Sequence, residues 1–320
     1  MSGGHSHSHS HSHNHGHSHG HAHSHAAPKS FDRAFAIGIG LNLLFVVVEA
    51  TYGFIADSLA LVADAGHNLS DVIGLVLAWG AVWLSRKKPN NRYTYGLRRS
   101  SILSALLNAV LLLVAVGGIT WEGIRRFWHP TEIQTGMVMA VAAVGILING
   151  FTALLFMSGR KEDINIRGAY LHMAADALVS VGVVIAGFII QKTDLVWIDP
   201  AISIAIAVII TWGTWGLLKE SVNMAMDAVP NGIHLPDVRQ YFTQLTGVIE
   251  VHDLHVWSMS TTESALTVHL VMDKEHHNDA FLAKITRELK ENFKIDHPTI
   301  QVESGDLENF NCALKPDEVV

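Results

Sequence analysis

The sequence predicts an α-helical membrane protein in which a bundle of six transmembrane helices precedes a small α+β domain. Of its 320 residues, 49% are hydrophobic and only 16% are charged, which is unusual for a soluble domain of this length. Six apolar stretches approach the roughly 20 residues that a helix needs to cross a ~30 Å hydrocarbon core. We therefore divide the chain into a tail (residues 1–29), a membrane domain (30–222) and a polar domain (223–320).

The six spans are predicted at Phe31–Ala56, Leu59–Ser85, Ser101–Trp121, Gly136–Met157, Ile166–Ile190 and Pro200–Leu218. An even number of spans places both termini on one side of the membrane. Basic residues are concentrated between spans two and three and between spans four and five, so the positive-inside rule places these loops and both termini in the cytoplasm. Asp199 followed by Pro200 is predicted to cap span six and fix its start.

The polar region after the sixth span has its own alternation of patterns. Helical spacing covers Leu235–Leu245 and Ala280–Phe293, and strand-like stretches cover Val248–Ser258, Ser264–Met272 and Thr299–Glu303. This α-β-β-α-β order predicts a cytoplasmic sheet with its helices on one face. The small single layer also makes dimerisation plausible.

The composition restricts the possible partners and metal ligands. The formal net charge of −7 argues against nucleic acid, because phosphate binding needs a clustered basic face. The single cysteine, Cys312, excludes an intramolecular disulfide. Many of the 21 histidines lie in the tail, alternating with Ser, Gly, Asn or Ala. We expect this tail to be disordered and to collect metal ions. An expression tag is the alternative, but tags are usually uninterrupted histidine runs.

Two spans carry the same pair of metal-ligating residues. His67 and Asp71 lie four residues apart in span two, and His172 and Asp176 repeat that spacing in span five. Residues four apart share one face of a helix. If the two faces meet, two imidazoles and two carboxylates can form a tetrahedral Zn²⁺ site without cysteine.

The cost of burying charge favours a metal site over a structural role. An aspartate at the centre of a bilayer costs about 2.5–3.5 kcal/mol on the insertion scale, and a divalent cation offsets that cost. One such pair could be a structural hydrogen bond, but two pairs in matching positions favour a shared ion. Because ligands must lose protons to bind metal, we expect Zn²⁺ and protons to compete, and hypothesise Zn²⁺/H⁺ antiport out of the cytoplasm.

At these residues the chain resembles the cation diffusion facilitator family of divalent-metal transporters, over about residues 30–305. The resemblance rests on the segment Ser58–Asp71, on His172 and Asp176, and on the segment His252–Trp257. It implies a homodimeric exporter that alternates between inward-open and outward-open states, with a metallochaperone-like cytoplasmic domain. Some members have an aspartate in place of His67, so the histidine here favours zinc over manganese.

The resemblance also implies regulatory metal ligands in the cytoplasmic domain, at His252, His269 and Glu303. Weaker candidates are His255, His234, His297 and Cys312, and some members have a histidine at the position of Gln301. The alternative is that His252 and His269 are strand histidines that bind no metal, an interpretation that is favoured for His276 and His277.

Other polar residues in the spans have simpler interpretations. Asp64 lies on the same stripe as His67 and Asp71, and either guides ions or caps a helix. Asn42 and Glu49 in span one could line the ion path, but hydrogen bonding to neighbouring helices is favoured. The same interpretation is favoured for Asn149.

We predict a Zn²⁺ exporter in a bacterial inner membrane, with Cd²⁺, Co²⁺ or Fe²⁺ as further possible substrates. It breaks no covalent bond and so is expected not to be an enzyme. One alternative is a membrane metallohydrolase in which the same residues activate water. Another is a metal sensor whose spans only anchor its cytoplasmic domain.

Overall fold

Six long helices form the first part of the molecule, a computed structural model that describes residues 33–157, 164–273 and 278–304. The helices are α1 (Arg33–Ile55), α2 (Leu59–Ser85), α3 (Ser100–Trp128), α4 (Thr135–Phe156), α5 (Ile164–Thr193) and α6 (Ile198–Ala225). Five of them are long and apolar enough to cross a membrane, and α1 contributes a shorter apolar stretch, Leu43–Ile55, within the described residues. The helical membrane architecture predicted from the sequence is confirmed. The predicted histidine-rich tail lies outside the described residues.

Helix α3 runs seven residues beyond the predicted end at Trp121, to Trp128. Its last two turns carry Glu122, which binds Arg125 at 2.8 Å and Arg126 at 3.2 Å. Such pairs, three and four residues apart, stabilise a helix beyond its apolar part. The length of the hydrophobic stretch therefore underestimates the length of this helix.

Helix α2 is the central element of the bundle. Helix α4 packs along α5 and α3 packs along α6, while α2 contacts α1, α3, α5 and α6. The shared core includes Phe45 from α1 and Leu61 from α2. Gly145 of α4 lies directly against Phe45 and Ser180, where an added Cβ would fall 2.7 and 3.0 Å from them. This close approach joins α4 to α1 and α5 beside the polar stripe of α2.

Asp199 joins the starts of α2 and α6. Its buried carboxylate accepts hydrogen bonds from the Ser58 hydroxyl at 2.6 Å, the Leu59 amide at 2.8 Å and the Ala60 amide at 3.4 Å. The prediction that Asp199 caps its own helix is wrong, because α6 begins at Ile198 with Trp197 as its N-cap. The carboxylate instead satisfies the free amides at the positive end of α2.

The turn between α1 and α2 is held by two further helices. Asp57 has a positive φ of 55°, and its carboxylate accepts a hydrogen bond from Arg126 of α3 at 2.6 Å. The amide of Gln134, at the start of α4, donates to the Ala56 carbonyl at 3.1 Å. We call this end of the bundle, which carries Asp57 and Asp199, the distal end.

The opposite end carries the α+β domain, whose elements follow the predicted order. They are α7 (Leu235–Thr243), β1 (Val248–Ser258), β2 (Ser264–Met272), α8 (Asp279–Phe293) and β3 (His297–Ser304). Strand β2 lies between β1, its antiparallel neighbour, and β3, its parallel neighbour. Phe242 of α7 and Leu289 of α8 pack with the apolar side chains of the strands. The predicted α+β arrangement is confirmed.

The turn between β1 and β2 contacts the membrane helices. Glu263 forms an ion pair with Arg98 at 2.8 Å, and the Thr261 amide donates to the Ser101 hydroxyl at 3.1 Å. A second ion pair joins Arg99 to Asp227 at 2.5 Å. The first two contacts fasten the hairpin to the start of α3, and the third joins the segment after α6 to the same place.

Replacing Asp199 by alanine is expected to destabilise the bundle, because three donors at the start of α2 would lose their buried acceptor. Leaving buried donors unsatisfied costs about 1–3 kcal/mol. Thermal denaturation in detergent should therefore show a lower midpoint for Asp199→Ala than for Glu132→Ala, which removes an exposed carboxylate at the same end. Equal midpoints for the two variants would contradict this role for Asp199.

Candidate metal centres

Two neighbouring helices present the four predicted transport ligands to each other. Ser58 caps α2, its hydroxyl accepting a hydrogen bond from the Leu61 amide, and the helix then continues without interruption through His67 and Asp71. Helix α5 places His172 and Asp176 one turn apart in the same way. Because both pairs are spaced by four residues, each helix contributes one imidazole and one carboxylate at one level of the bundle.

The four side chains converge closely. His172 Nε2 lies 3.1 Å from Asp71 Oδ2 and 3.5 Å from Asp176 Oδ2. His67 Nε2 lies 3.7 Å from Asp71 Oδ2 and 3.8 Å from Asp176 Oδ1. The two imidazole rings meet edge to face with centroids 5.8 Å apart. Each histidine therefore contacts a carboxylate on its own helix and one on the other helix.

These separations fit a tetrahedral ion. Ligand atoms bound to zinc at about 2.0–2.1 Å lie about 3.3–3.4 Å from one another in a tetrahedron. The four nitrogen–oxygen distances in this cluster range from 3.1 to 3.8 Å. One ligand atom each from His67, His172 and Asp176 lies within 4.8 Å of the other two. Asp71 Oδ2 lies beside both imidazoles, at 3.7 and 3.1 Å, so it is placed to act as the fourth ligand.

The cluster is partly enclosed. The side chain of Asp176 is 4% exposed, while those of His67 and Asp71 are both 24% exposed. Asp176 thus forms the closed side of the cluster, and the residues of α2 form its accessible side. Two carboxylates within an apolar bundle need compensating positive charge, and a divalent cation can provide it.

The remaining polar residues predicted in the spans have different positions. Asp64 is buried beside Ser180, 3.3 Å away. Because Ser58 is the N-cap of α2, the alternative in which Asp64 caps a helix is wrong. Glu49 accepts a hydrogen bond from Asn68 of α2 at 3.2 Å, in agreement with the predicted hydrogen bonding to a neighbouring helix. Asn149 is completely buried. The side chain of Asn42 lies outside the described residues.

A second cluster of possible metal ligands lies on the sheet of the α+β domain. His252 and His269 face each other across β1 and β2, and Glu303 comes from β3. His269 Nδ1 lies 3.0 Å from Glu303 Oε1, and His252 Nε2 lies 3.5 Å from Glu303 Oε2. All three residues are buried. Neither ring nitrogen of His252 has a hydrogen-bond partner among the described residues, so this group suits a cation.

Asp253 also belongs to this second cluster, and sequence reasoning missed it. The pairing of β1 with β2 shifts between His252 and His255, and Asp253 adopts a positive φ of 50°. This bulge places Asp253 Oδ2 3.4 Å from His269 Nε2, although strict alternation would turn its side chain to the opposite face. The one sequence signal is an acidic residue directly after His252 in the predicted strand.

Of the weaker histidine candidates, His255 adjoins the second cluster: it is half-buried and contacts Asp253 at 2.9 Å. His234 is exposed beside Asp237. His297 packs its ring against Tyr95, while Gln301 donates a hydrogen bond to Glu303 at 3.0 Å. The other candidates, Cys312, His276 and His277, lie outside the described residues.

Together, the apolar helices and the buried histidine–carboxylate cluster define a multi-pass integral membrane protein with a candidate divalent-metal site. Residues 35–225 match the model of the cation efflux transmembrane domain, and residues 230–305 match that of the cation efflux protein cytoplasmic domain. The chain belongs to the cation diffusion facilitator family. The resemblance noted in the sequence is thereby confirmed, while the assignment of individual ligands stays a prediction.

Several bacterial proteins are similar to the chain over most of its length. The zinc transporter ZitB of Escherichia coli is 37% identical over 284 residues, covering 88% of this chain and 90% of its own. The metal cation efflux system protein CzcD of Cupriavidus metallidurans is 34% identical over 287 residues, covering 89% and 91%. The cadmium, cobalt and zinc/H(+)-K(+) antiporter of Bacillus subtilis is 36% identical over 275 residues, covering 84% and 88%.

The sheet cluster is expected to bind zinc independently of the membrane cluster. His269→Ala removes the imidazole that contacts both Glu303 and Asp253, so the purified protein should bind less zinc per chain, by about one ion. Equilibrium dialysis followed by metal analysis measures this change. His234→Ala, which removes an exposed histidine of the same domain, should leave the count unchanged, and equal loss in both variants would count against a sheet site.

Proposed function

We propose that this protein exports Zn²⁺, or a closely similar divalent ion, from the cytoplasm in exchange for protons. His67, Asp71, His172 and Asp176 are the proposed transport site. The observation that carries the proposal is the convergence of these four side chains at distances of 3.1–3.8 Å between α2 and α5. Export agrees with the names of the relatives, which are zinc transporters, cation efflux proteins and antiporters.

The charges of the site provide a reason for proton exchange. With Zn²⁺ bound, two carboxylates and two neutral imidazoles give a neutral cluster. Without the ion, two protons restore the same charge. Metal and protons therefore compete for the same groups, and inward proton flow can drive zinc outward.

The ligand set favours zinc but leaves room for other ions. Two imidazole nitrogens with two carboxylates suit tetrahedral Zn²⁺. Selectivity within the first-row divalent ions depends on geometry and availability as well as on ligand type. We therefore propose Zn²⁺ as the preferred substrate, with Cd²⁺, Co²⁺ and Fe²⁺ as further substrates.

The proposed setting is a bacterial inner membrane with both termini and the α+β domain in the cytoplasm. The basic residues of the α2–α3 loop lie at the domain end of the bundle, where the positive-inside rule places the cytoplasm. We further propose a homodimer joined through residues 223–320, in which His252, His269 and Glu303 bind regulatory zinc. The tail, residues 1–29, would raise the local zinc concentration.

A metal-sensing role is the second candidate, because the sheet cluster is more completely buried than the membrane cluster. On that alternative the membrane helices serve as an anchor, and only the loss of sheet ligands would abolish function. The transport proposal requires the opposite order of severity. A membrane metallohydrolase would instead use the α2–α5 cluster to activate water, and would show hydrolysis without metal movement.

Loss of a membrane ligand is expected to abolish transport. In inverted membrane vesicles, Asp71→Ala should lower Zn²⁺ uptake at least about tenfold, since removing even an outer-shell partner of a metal ligand costs about 10–100-fold. Asp176→Ala should have a similar effect, and His252→Ala a smaller one. Asp194→Asn, an exposed carboxylate at the distal end of α5, is the matched control. A panel of divalent ions in the same assay ranks the substrates.

Transport should also respond to a pH gradient. In proteoliposomes, Zn²⁺ uptake into the lumen should accelerate when the lumen is made more acidic than the outside, because protons leaving the lumen exchange for zinc entering it. The control is the same gradient collapsed by a proton ionophore. A zinc transport rate that does not change with the pH gradient would contradict proton antiport but not zinc export.

A further inference from the structure

A second pair of acidic residues lies beside the transport site, and the ligand set does not account for it. Glu49 of α1 is 0% exposed and Asp64 of α2 is 2% exposed. Asp64 lies one turn before Asn68 on the same face of α2, and Asn68 donates a hydrogen bond to Glu49, so the two acidic side chains are neighbours. Two carboxyl groups buried this close together are stable when the pair holds at least one proton, because two adjacent buried negative charges are costly.

Among the described side chains, those around the pair supply hydrogen bonds but no Lys or Arg partner. The Asn68 amide donates to Glu49 Oε2 at 3.2 Å, and the Ser180 hydroxyl donates to Asp64 Oδ2 at 3.3 Å. Glu49 Oε1 and Asn68 Oδ1 are buried acceptors without a donor among the described residues. Asn149 is fully buried, one helical turn after Gly145, which packs against Ser180. A proton on Glu49 Oε1 converts this unsatisfied acceptor into a hydroxyl group and removes the buried charge.

The pair also lies within electrostatic reach of the transport ligands. His67 follows Asp64 by three residues on the same stripe of α2, and Asp176 lies one turn before Ser180, the hydrogen-bond donor to Asp64. Asn149 of α4 does not titrate. A divalent ion bound by His67 and Asp176 adds two positive charges next to the pair in a medium of low dielectric constant. That charge favours the loss of a proton from the pair.

We infer that Glu49 and Asp64 form a proton-binding site, separate from the four metal ligands, which exchanges a proton whenever the metal ion binds or leaves. Without metal the pair holds two protons and is neutral. With metal it holds one shared proton and carries one negative charge, and the released proton leaves through the accessible side of the cluster. This inference rests on the proposed proton-coupled export, and it assigns part of the coupling to residues that do not touch the ion.

Proton release on zinc binding tests the inference directly. The purified full-length protein is titrated with Zn²⁺ in weakly buffered detergent solution that contains a pH indicator dye, and released protons are counted per bound zinc. Glu49→Gln keeps the shape of the side chain and an acceptor for the Asn68 amide but cannot ionise. It should lower the release by about one proton per zinc at the transport site. Asp64→Asn should give the same loss.

Two comparisons separate this site from general effects. Glu122→Gln, in a different membrane helix, should release as many protons as the wild type. In a protein that already carries Asp176→Ala, Glu49→Gln should have no effect, because the coupled ion is then absent. Gel filtration identifies any variant that has lost its fold. If either Glu49→Gln or Asp64→Asn is misfolded, the proton release of the other variant tests the inference.

Unchanged proton release in Glu49→Gln and Asp64→Asn would overturn the inference. So would an equal loss in the wild-type and Asp176→Ala backgrounds, since the proton would then be unrelated to the transport-site ion. The proposed function fails by a different result, namely full zinc uptake by Asp71→Ala. The proton-binding role of Glu49 and Asp64 and the proposed export function can therefore be refuted independently.

Discussion

The charge of carboxylates within an apolar bundle is the constraint on which the rest of the structure depends. Helix α2 alone carries Asp64 and Asp71, and α5 adds Asp176. Each carboxylate needs a cation, a proton or several hydrogen-bond donors, because an uncompensated charge in this medium costs several kcal/mol. Because α2 is central, its acidic residues Asp64 and Asp71 lie against the polar residues of α1 and α5. On the proposed function, the bundle exchanges one positive charge for another.

The sequence predicts those parts of the architecture that depend on local spacing. The apolar runs predict the helices, and the four-residue interval predicts that His67 and Asp71 share a face. Contacts between distant residues are harder to predict. Asp199 precedes Pro200 and so has the pattern of a local cap, yet its carboxylate binds Leu59, 140 residues away. Asp253 escapes prediction for a related reason, because a bulge resets the alternation that assigns strand residues to faces.

The same chemistry recurs in the α+β domain on a different scaffold. In the membrane, the candidate ligands come from two helices at an interval of one turn. In the sheet, they come from three adjacent strands: His252 is directly opposite His269, and Glu303 lies two residues beyond the partner of His269. His252 on β1 and His269 on β2 lie on the strands that lead into the turn at Thr261 and Glu263. That turn is bonded to Ser101 and Arg98. The sheet cluster is thus connected through a short hairpin to the helix that packs on α2.

Pairing the ligands within single helical turns has a mechanical consequence. His67 and Asp71 lie on α2, and His172 and Asp176 lie on α5. Each helix therefore carries two of the four candidate ligands as one rigid body. A small tilt or rotation of either helix moves one imidazole and one carboxylate away from the site together. On the proposed transport role, the ion would then be held by half of its donors, and its release would require rigid-body motion without local unfolding.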